Sequence, residues 1–241
     1  MEQFGAILLV ILVAAIVVAA IRWSMEQARK RREALASLAA GLGLAFDPDT
    51  DRSVGDRLAQ FDFFTRGHSR RAFNTLSGSI DIDGRPYPCL AGDFEYKITR
   101  SNGKTTTTST YRFSYLVLGM PLPGVPDLVI RREGLLDKIA GAIGFDDIDF
   151  ESEAFSRAFH VKSGDKRFAY GVVHPKMMEF LMAGSDSAVH IRSGAACFSD
   201  GSRRWEPEGF RERFGWARRF FELWPRHVWD DIAARNAGVS A

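Results

Sequence analysis

From Phe4 to Ile21 the chain runs through eighteen residues, FGAILLVILVAAIVVAAI, without a charged or strongly polar side chain. As a helix rising about 1.5 Å per residue this stretch is about 27 Å long, close to the ~30 Å hydrocarbon thickness of a bilayer. Its large apolar residues each favour insertion by roughly 0.3–0.6 kcal/mol. The pattern predicts a transmembrane anchor over residues 1–23. A cleaved export signal fits less well, because the leader Met1-Glu2-Gln3 carries no base and Ala19-Ala20 runs straight into Ile21, Arg22 and Trp23. The helix should continue past the lipid, since SMEQARKRREALASLAA is built of good helix formers up to Gly41 and Gly43. Residues 24–41 therefore read as a basic juxtamembrane helix.

Beyond this point the period changes from helical to alternating. LGLAF opens a first strand, and DRSVGDRLAQFDFFTRG reads as a short helix with Val54, Leu58 and Phe61 on one side. Ile80 and Ile82 alternate with Ser79, Asp81 and Asp83 up to the turn pair Asp83-Gly84. Phe94, Tyr96 and Ile98 then oppose Asp93, Glu95 and Lys97, which predicts one buried and one solvated face. Asn102-Gly103 signals a hairpin, and Tyr111, Phe113, Tyr115 and Val117 share one side of the return strand. DLVIRR predicts a further strand, EGLLDKIAGAIG a short helix closed by Gly144, the region around Arg157 to Val161 a strand, and HPKMMEFLMAG a helix. SAVHIRS and AACFSD pair about Gly194. Residues 42–205 thus form an α+β domain, with a mainly antiparallel sheet and helices packed on one side.

Residues 206–241 form a C-terminal amphipathic aromatic helix. Phe210, Phe214, Ala217, Phe221, Trp224 and Val228 recur at three- and four-residue spacing, with Pro207 at its start and Pro225 placed to kink or split it. Phe220, Trp216, Trp229 and Ile232 widen the apolar stripe. Docking on the sheet explains most of this stripe, and Phe220, Trp224 and Trp229 are in addition the candidate partner surface.

Charge sets the expected topology. Arg22, Arg29, Lys30, Arg31 and Arg32 follow the span, and no Lys or Arg precedes it. With Trp23 they form the expected membrane interface, and the excess of base predicts an amino terminus outside and a soluble domain facing the cytoplasm at a bacterial inner membrane. Beyond residue 40 the chain has 27 Lys and Arg against 27 Asp and Glu, so a nucleic-acid partner is not expected. Cys89 and Cys197 are isolated, without metal or disulfide spacing, and fit a reducing compartment.

Motifs for chemistry are sparse. Gly103-Lys104-Thr105 ends like a P-loop, but Ile98 stands where the first glycine belongs and a β-branched run follows. The five histidines show no metal-ligand pairing, and Asp146, Asp147, Asp149, Glu151 and Glu153 lack the fixed glycine of a calcium loop. No cofactor or metal site is expected, and no catalytic residue can be assigned. Arg66, His68, Arg70 and Arg71 form a basic knot suited to phosphate or a membrane surface. Ala15 and Ala19 are spaced for close helix approach and self-association.

The order of RREALASLAAGLGLAF, GSIDIDG, a tyrosine-containing hairpin, PLPGVPDLVIRREGL and DDIDFESEAFSRAFHVKSGDKRFAYGVVHPKMMEFL resembles a family of uncharacterised bacterial single-pass membrane-anchored proteins. The resemblance covers about residues 33–183 and implies a fold, with no catalytic residues to carry over. The expected function is a membrane-tethered cytoplasmic module that binds protein or lipid. The alternative is a hydrolase-like enzyme acting on a membrane-derived or phosphorylated substrate, built from Arg70, His160, Asp165 and His174.

Overall fold

The computed structural model describes residues 2–133, 146–184, 188–199 and 201–239. The helix expected over 133–144 lies almost wholly outside these residues. Helix α1 (Glu2–Leu42) is unbroken, and it is long and apolar enough to cross a membrane. Leu12, Val13, Ile16, Val17 and Ile21 on it are exposed. Its far end is different, for Leu35, Leu38 and Ala39 are buried in the domain core. The helix stops at a left-handed Gly43 (φ +70°), where Leu44 N–H donates to the Ala39 carbonyl and Gly43 N–H to the Ala40 carbonyl. These are the crossed bonds of a Schellman cap.

The domain is an eight-stranded sheet in the order β1-β2-β3-β4-β8-β7-β5-β6, antiparallel throughout. Its first half is a meander of β1 (Ala45–Asp47), β2 (His68–Ile82), β3 (Arg85–Ser101) and β4 (Thr106–Gly119). Asp83 and Gly84, both at positive φ, make the tight β2–β3 turn. In the β3–β4 turn the Asn102 side chain accepts from Lys104 N–H and Thr105 N–H, so Gly103-Lys104-Thr105 caps a hairpin instead of cradling phosphate. The second half contains β5 (Leu128–Arg132), β6 (Phe159–Ser163), β7 (Val189–Arg192) and β8 (Ala195–Phe198). Among the described residues, the sheet pairing that joins the halves is Val117–Gly119 of β4 against Ala195–Cys197 of β8.

The long helices pack on one face. They are the end of α1 and the C-terminal pair α6 (Pro207–Glu222) and α7 (Arg226–Val239), parted at Pro225. Helices α4 (Lys166–Val172) and α5 (Pro175–Ala183) add Phe168, Val172, Met177 and Leu181 to the same cluster. The other face is partly covered as well. Helix α2 (Val54–Arg57) and the 3-10 turn Asp62–Phe64 place Val54, Phe61, Phe63 and Phe64 over Phe94, Phe113 and Tyr115. Phe64 meets Phe94 and Tyr115 edge to face, with centroids 4.9 and 5.1 Å away, a favourable aromatic geometry.

Ser152 caps α3 (Glu153–Ala158) through its hydroxyl, which accepts from Phe155 N–H. Cys89 and Cys197 lie in different apolar clusters, and burial pushes the Cys89 thiol up to about 12 and the Cys197 thiol well above its ordinary value. Such inert core thiols carry no information about redox compartment.

Candidate functional site

One charged cavity of about 540 Å³ lies between α1 and the sheet, just past the apolar stretch of the helix. Ser24, Gln27, Arg31 and Arg32 of α1 form one wall. The facing wall carries Arg71 and Asn74 of β2, Glu95 of β3 and Arg112 of β4, with Arg204 and Glu206 at the approach to α6.

Cross-strand register builds this wall. Glu95 stands opposite Arg71 on β2 and Arg112 on β4, and each guanidinium donates to one of its carboxylate oxygens, at 2.9 and 2.5 Å. Two positions along β3, Asp93 opposes Ser114 and is fully buried. It accepts from Arg31 Nε and Nη2 (3.0 and 2.8 Å), Asn74 Nδ2 (3.0 Å), Ser114 Oγ (2.7 Å) and Arg204 Nη2 (3.0 Å). Burial by itself would raise the pKa of both carboxyls. For Asp93 the bonds and charge of Arg31, the charge of Arg204 and the Ser114 hydroxyl outweigh it, and for Glu95 Arg112 and Arg71 do so, leaving both below their ordinary values.

A β-bulge aims Asn74. Pairing of β2 with β3 slips between Phe73 and Leu76, and Asn74 takes a left-handed φ of +53°, a conformation asparagine tolerates better than most residues. The bulge presses on Gly92, where a Cβ would lie 3.2–3.3 Å from backbone atoms of Phe73, Asn74 and Thr75. Because the Asn74 amide nitrogen is committed to Asp93, its Oδ1 faces away, buried and without a hydrogen-bond partner among the described residues. The Phe73 ring lies beneath the guanidiniums of Arg71 and Arg204, at 5.9 and 5.6 Å.

Sequence reading placed Asp93 and Glu95 on the solvated face. The structure buries them; the available signal was the cross-strand match of Glu95 with Arg71 and Arg112, and Asp93, opposite Phe73 and Ser114, had none. Within the expected membrane-interface set, Arg22 and Trp23 are exposed. Arg29 pairs with Glu26 and Glu33, and Lys30 lies 3.8 Å from Glu26. Arg31 turns inward to Asp93, whereas Arg32 is exposed at the cavity. The candidate partner surface is interior. Phe220, Trp224 and Trp229 are buried because the apolar side of α6 and α7 is spent on the sheet and on itself, with Trp224 and Trp229 stacked at 4.8 Å.

The four residues of the enzyme alternative sit in separate networks. Arg70 donates to Asp56 and to the Thr65 carbonyl, and His160 pairs with Asp147 at 3.0 Å. Asp165 caps α4 and binds Arg235, and His174 Nε2 contacts the Leu223 carbonyl. Among the described residues no three His, Cys, Asp or Glu side chains converge in a metal-binding group.

Fold and site together define a membrane-anchored α+β domain with a charged cavity against its own anchor helix. A solved structure shares this fold: the mycobacterial trehalose monomycolate transport factor A, TtfA, with a TM-score of 0.50 and 15% identity over 81% of this chain and 95% of that one. No protein-family model matches the chain, and no curated protein matches it.

The structural match corrects two expectations. The fold has a named counterpart, a transport factor, so the resemblance to an uncharacterised family does not stand. The cytoplasm-facing placement is overturned by the same match. Of the five bases counted, Arg29, Lys30 and Arg31 also serve the fold through intramolecular ion pairs.

Proposed function

We propose that this chain is a membrane-tethered, non-enzymatic binding module that engages lipid at the membrane surface through the cavity beneath α1, with protein partners recruited beside it. The observation that carries this reading is that one helix supplies both the apolar span and a wall of the cavity. A lipid leaving the layer next to the span would meet the cavity first. The fold it shares with a trehalose monomycolate transport factor is consistent with a part in moving membrane amphiphiles. The enzyme alternative draws no support from Arg70, His160, Asp165 and His174, each of which is held by a different neighbour. Self-association along Ala15 and Ala19 is a separate proposal, and replacing both by Leu should abolish a dimer signal in membranes if it holds.

The test is photocrosslinking in cells from an unnatural residue at Gln27 or Thr50, both on the cavity wall, with one at exposed Arg167 as control. Adducts with lipid or a defined protein from the cavity positions alone are expected. Equal labelling from Arg167 would overturn the proposal.

A further inference from the structure

We propose that the cavity beneath α1 holds the phosphate-bearing headgroup of an anionic phospholipid, one that also carries a hydroxyl or ammonium donor. The inference deepens the binding-module reading and rests on it.

Charge comes first. Arg31, Arg32, Arg71, Arg112 and Arg204 face Asp93, Glu95 and Glu206, which leaves an excess of positive charge for an anion. Arg31 is consumed by Asp93, but Arg32 is exposed, and Arg71 and Arg112 remain about half exposed while bound to Glu95. A guanidinium has five N–H donors in a planar fork suited to phosphate. Those donors not spent on Glu95 or Asp93 are free to serve a ligand.

Asn74 narrows the ligand further. Asn74 lines the cavity, and its Oδ1 is buried without a partner among the described residues, a group that is costly to leave unsatisfied. A bare phosphate offers it nothing, whereas a glycerol hydroxyl or an ammonium would donate to it while the phosphate meets the arginines.

Position supplies the source. Ser24 and Gln27 lie about 5 to 9 Å beyond Ile21 along the helix, comparable to the roughly 5–8 Å depth of a headgroup layer. The strand ends at this side are basic too: His68 pairs with Lys97 in register, two positions before Arg70, and Arg100 and Lys104 follow on the hairpin. The volume suits a headgroup rather than a whole lipid.

Full-length protein in a neutral maltoside detergent would be titrated with dihexanoyl phosphatidylglycerol, dihexanoyl phosphatidylcholine and inorganic phosphate, binding being read by calorimetry. The expectation is saturable binding of the glycerol lipid, about tenfold or more tighter than of the choline lipid. Arg32→Glu should weaken it about tenfold, equivalent to about 1.4 kcal/mol, and its exposed position leaves the fold intact. Arg112→Gln, which keeps Arg71 on Glu95, should weaken it as well. Equal binding of the two lipids, or no change in both variants, overturns the proposal. Phosphate binding as tight as the lipid overturns the lipid source. Cavity-specific crosslinks to a protein would survive either failure, so the module reading and the headgroup assignment fail separately.

Discussion

Arg31 and Asp93, 62 residues apart in the chain, meet through two parallel bonds, Nε to Oδ2 at 3.0 Å and Nη2 to Oδ1 at 2.8 Å. The Arg31 guanidinium also lies 5.8 Å from the Phe210 ring centroid. One pair therefore ties the anchor helix to the sheet and to α6. Removing one partner of a buried pair leaves the other uncompensated.

Asp93→Ala should cost about 3–5 kcal/mol of unfolding free energy, because Arg31 and Arg204 lose their common acceptor. Asp93→Asn should cost less. Denaturant unfolding of the full chain in detergent measures both.

The acid limb of stability should belong chiefly to His190. It is buried edge-on against Phe63, and burial, aided by Arg192 and Arg131, lowers its pKa from 6.5 to about 4. The unfolded chain takes up this proton first, so the contribution is complete above pH 6.5 and is lost as pH falls towards 4, up to about 3 kcal/mol. His190→Leu should flatten the stability profile between pH 6.5 and about 4.5. Asp93 and Glu95, with lowered pKa values, contribute stability above their ordinary values, and it is lost only as pH drops through their lower folded ones.

Leu35→Ala should destabilise the domain by about 2–5 kcal/mol, since Leu35 is fully buried. Leu12→Ala, on the bare part of the same helix, should leave domain unfolding unchanged. Thermal unfolding of both variants separates the core role of α1 from its anchoring role.

Trp224→Ala should cost about 3–5 kcal/mol and leave crosslinking at Gln27 unchanged under conditions where the variant is folded. A selective loss of partner capture with unchanged stability would instead restore Trp224 to the surface.

Much of the fold was legible in the chain because it rests on period. Alternation located the strands around Ile80, Phe94 and Phe113, and the three- and four-residue recurrence from Phe210 located α6. The site was harder to read because its parts are distant in sequence. Nothing local marks Asp93 as buried, as its alternation with Phe94 is that of any half-solvated strand, and only the crossing of α1 covers it. Arg31 looked like its basic neighbours for the same reason. Helix α4 was missed because seven residues give too little periodicity to register. The aromatic stripe of α6 and α7 is widened by Phe220, Trp216, Trp229 and Ile232 because these helices pack against the sheet, α1 and each other.

Between Ala6 and Ala40 the first helix contains neither proline nor glycine, the usual causes of a sharp bend, and its last turns are sealed into the core. It therefore behaves as a stiff lever with its fulcrum in the lipid. A thinner bilayer tilts such a rod, and the attached sheet must swing with it, carrying the mouth of the cavity closer to or further from the headgroups. For a helix set across a bilayer, thickness would thus become a mechanical input to the domain sealed to its far end.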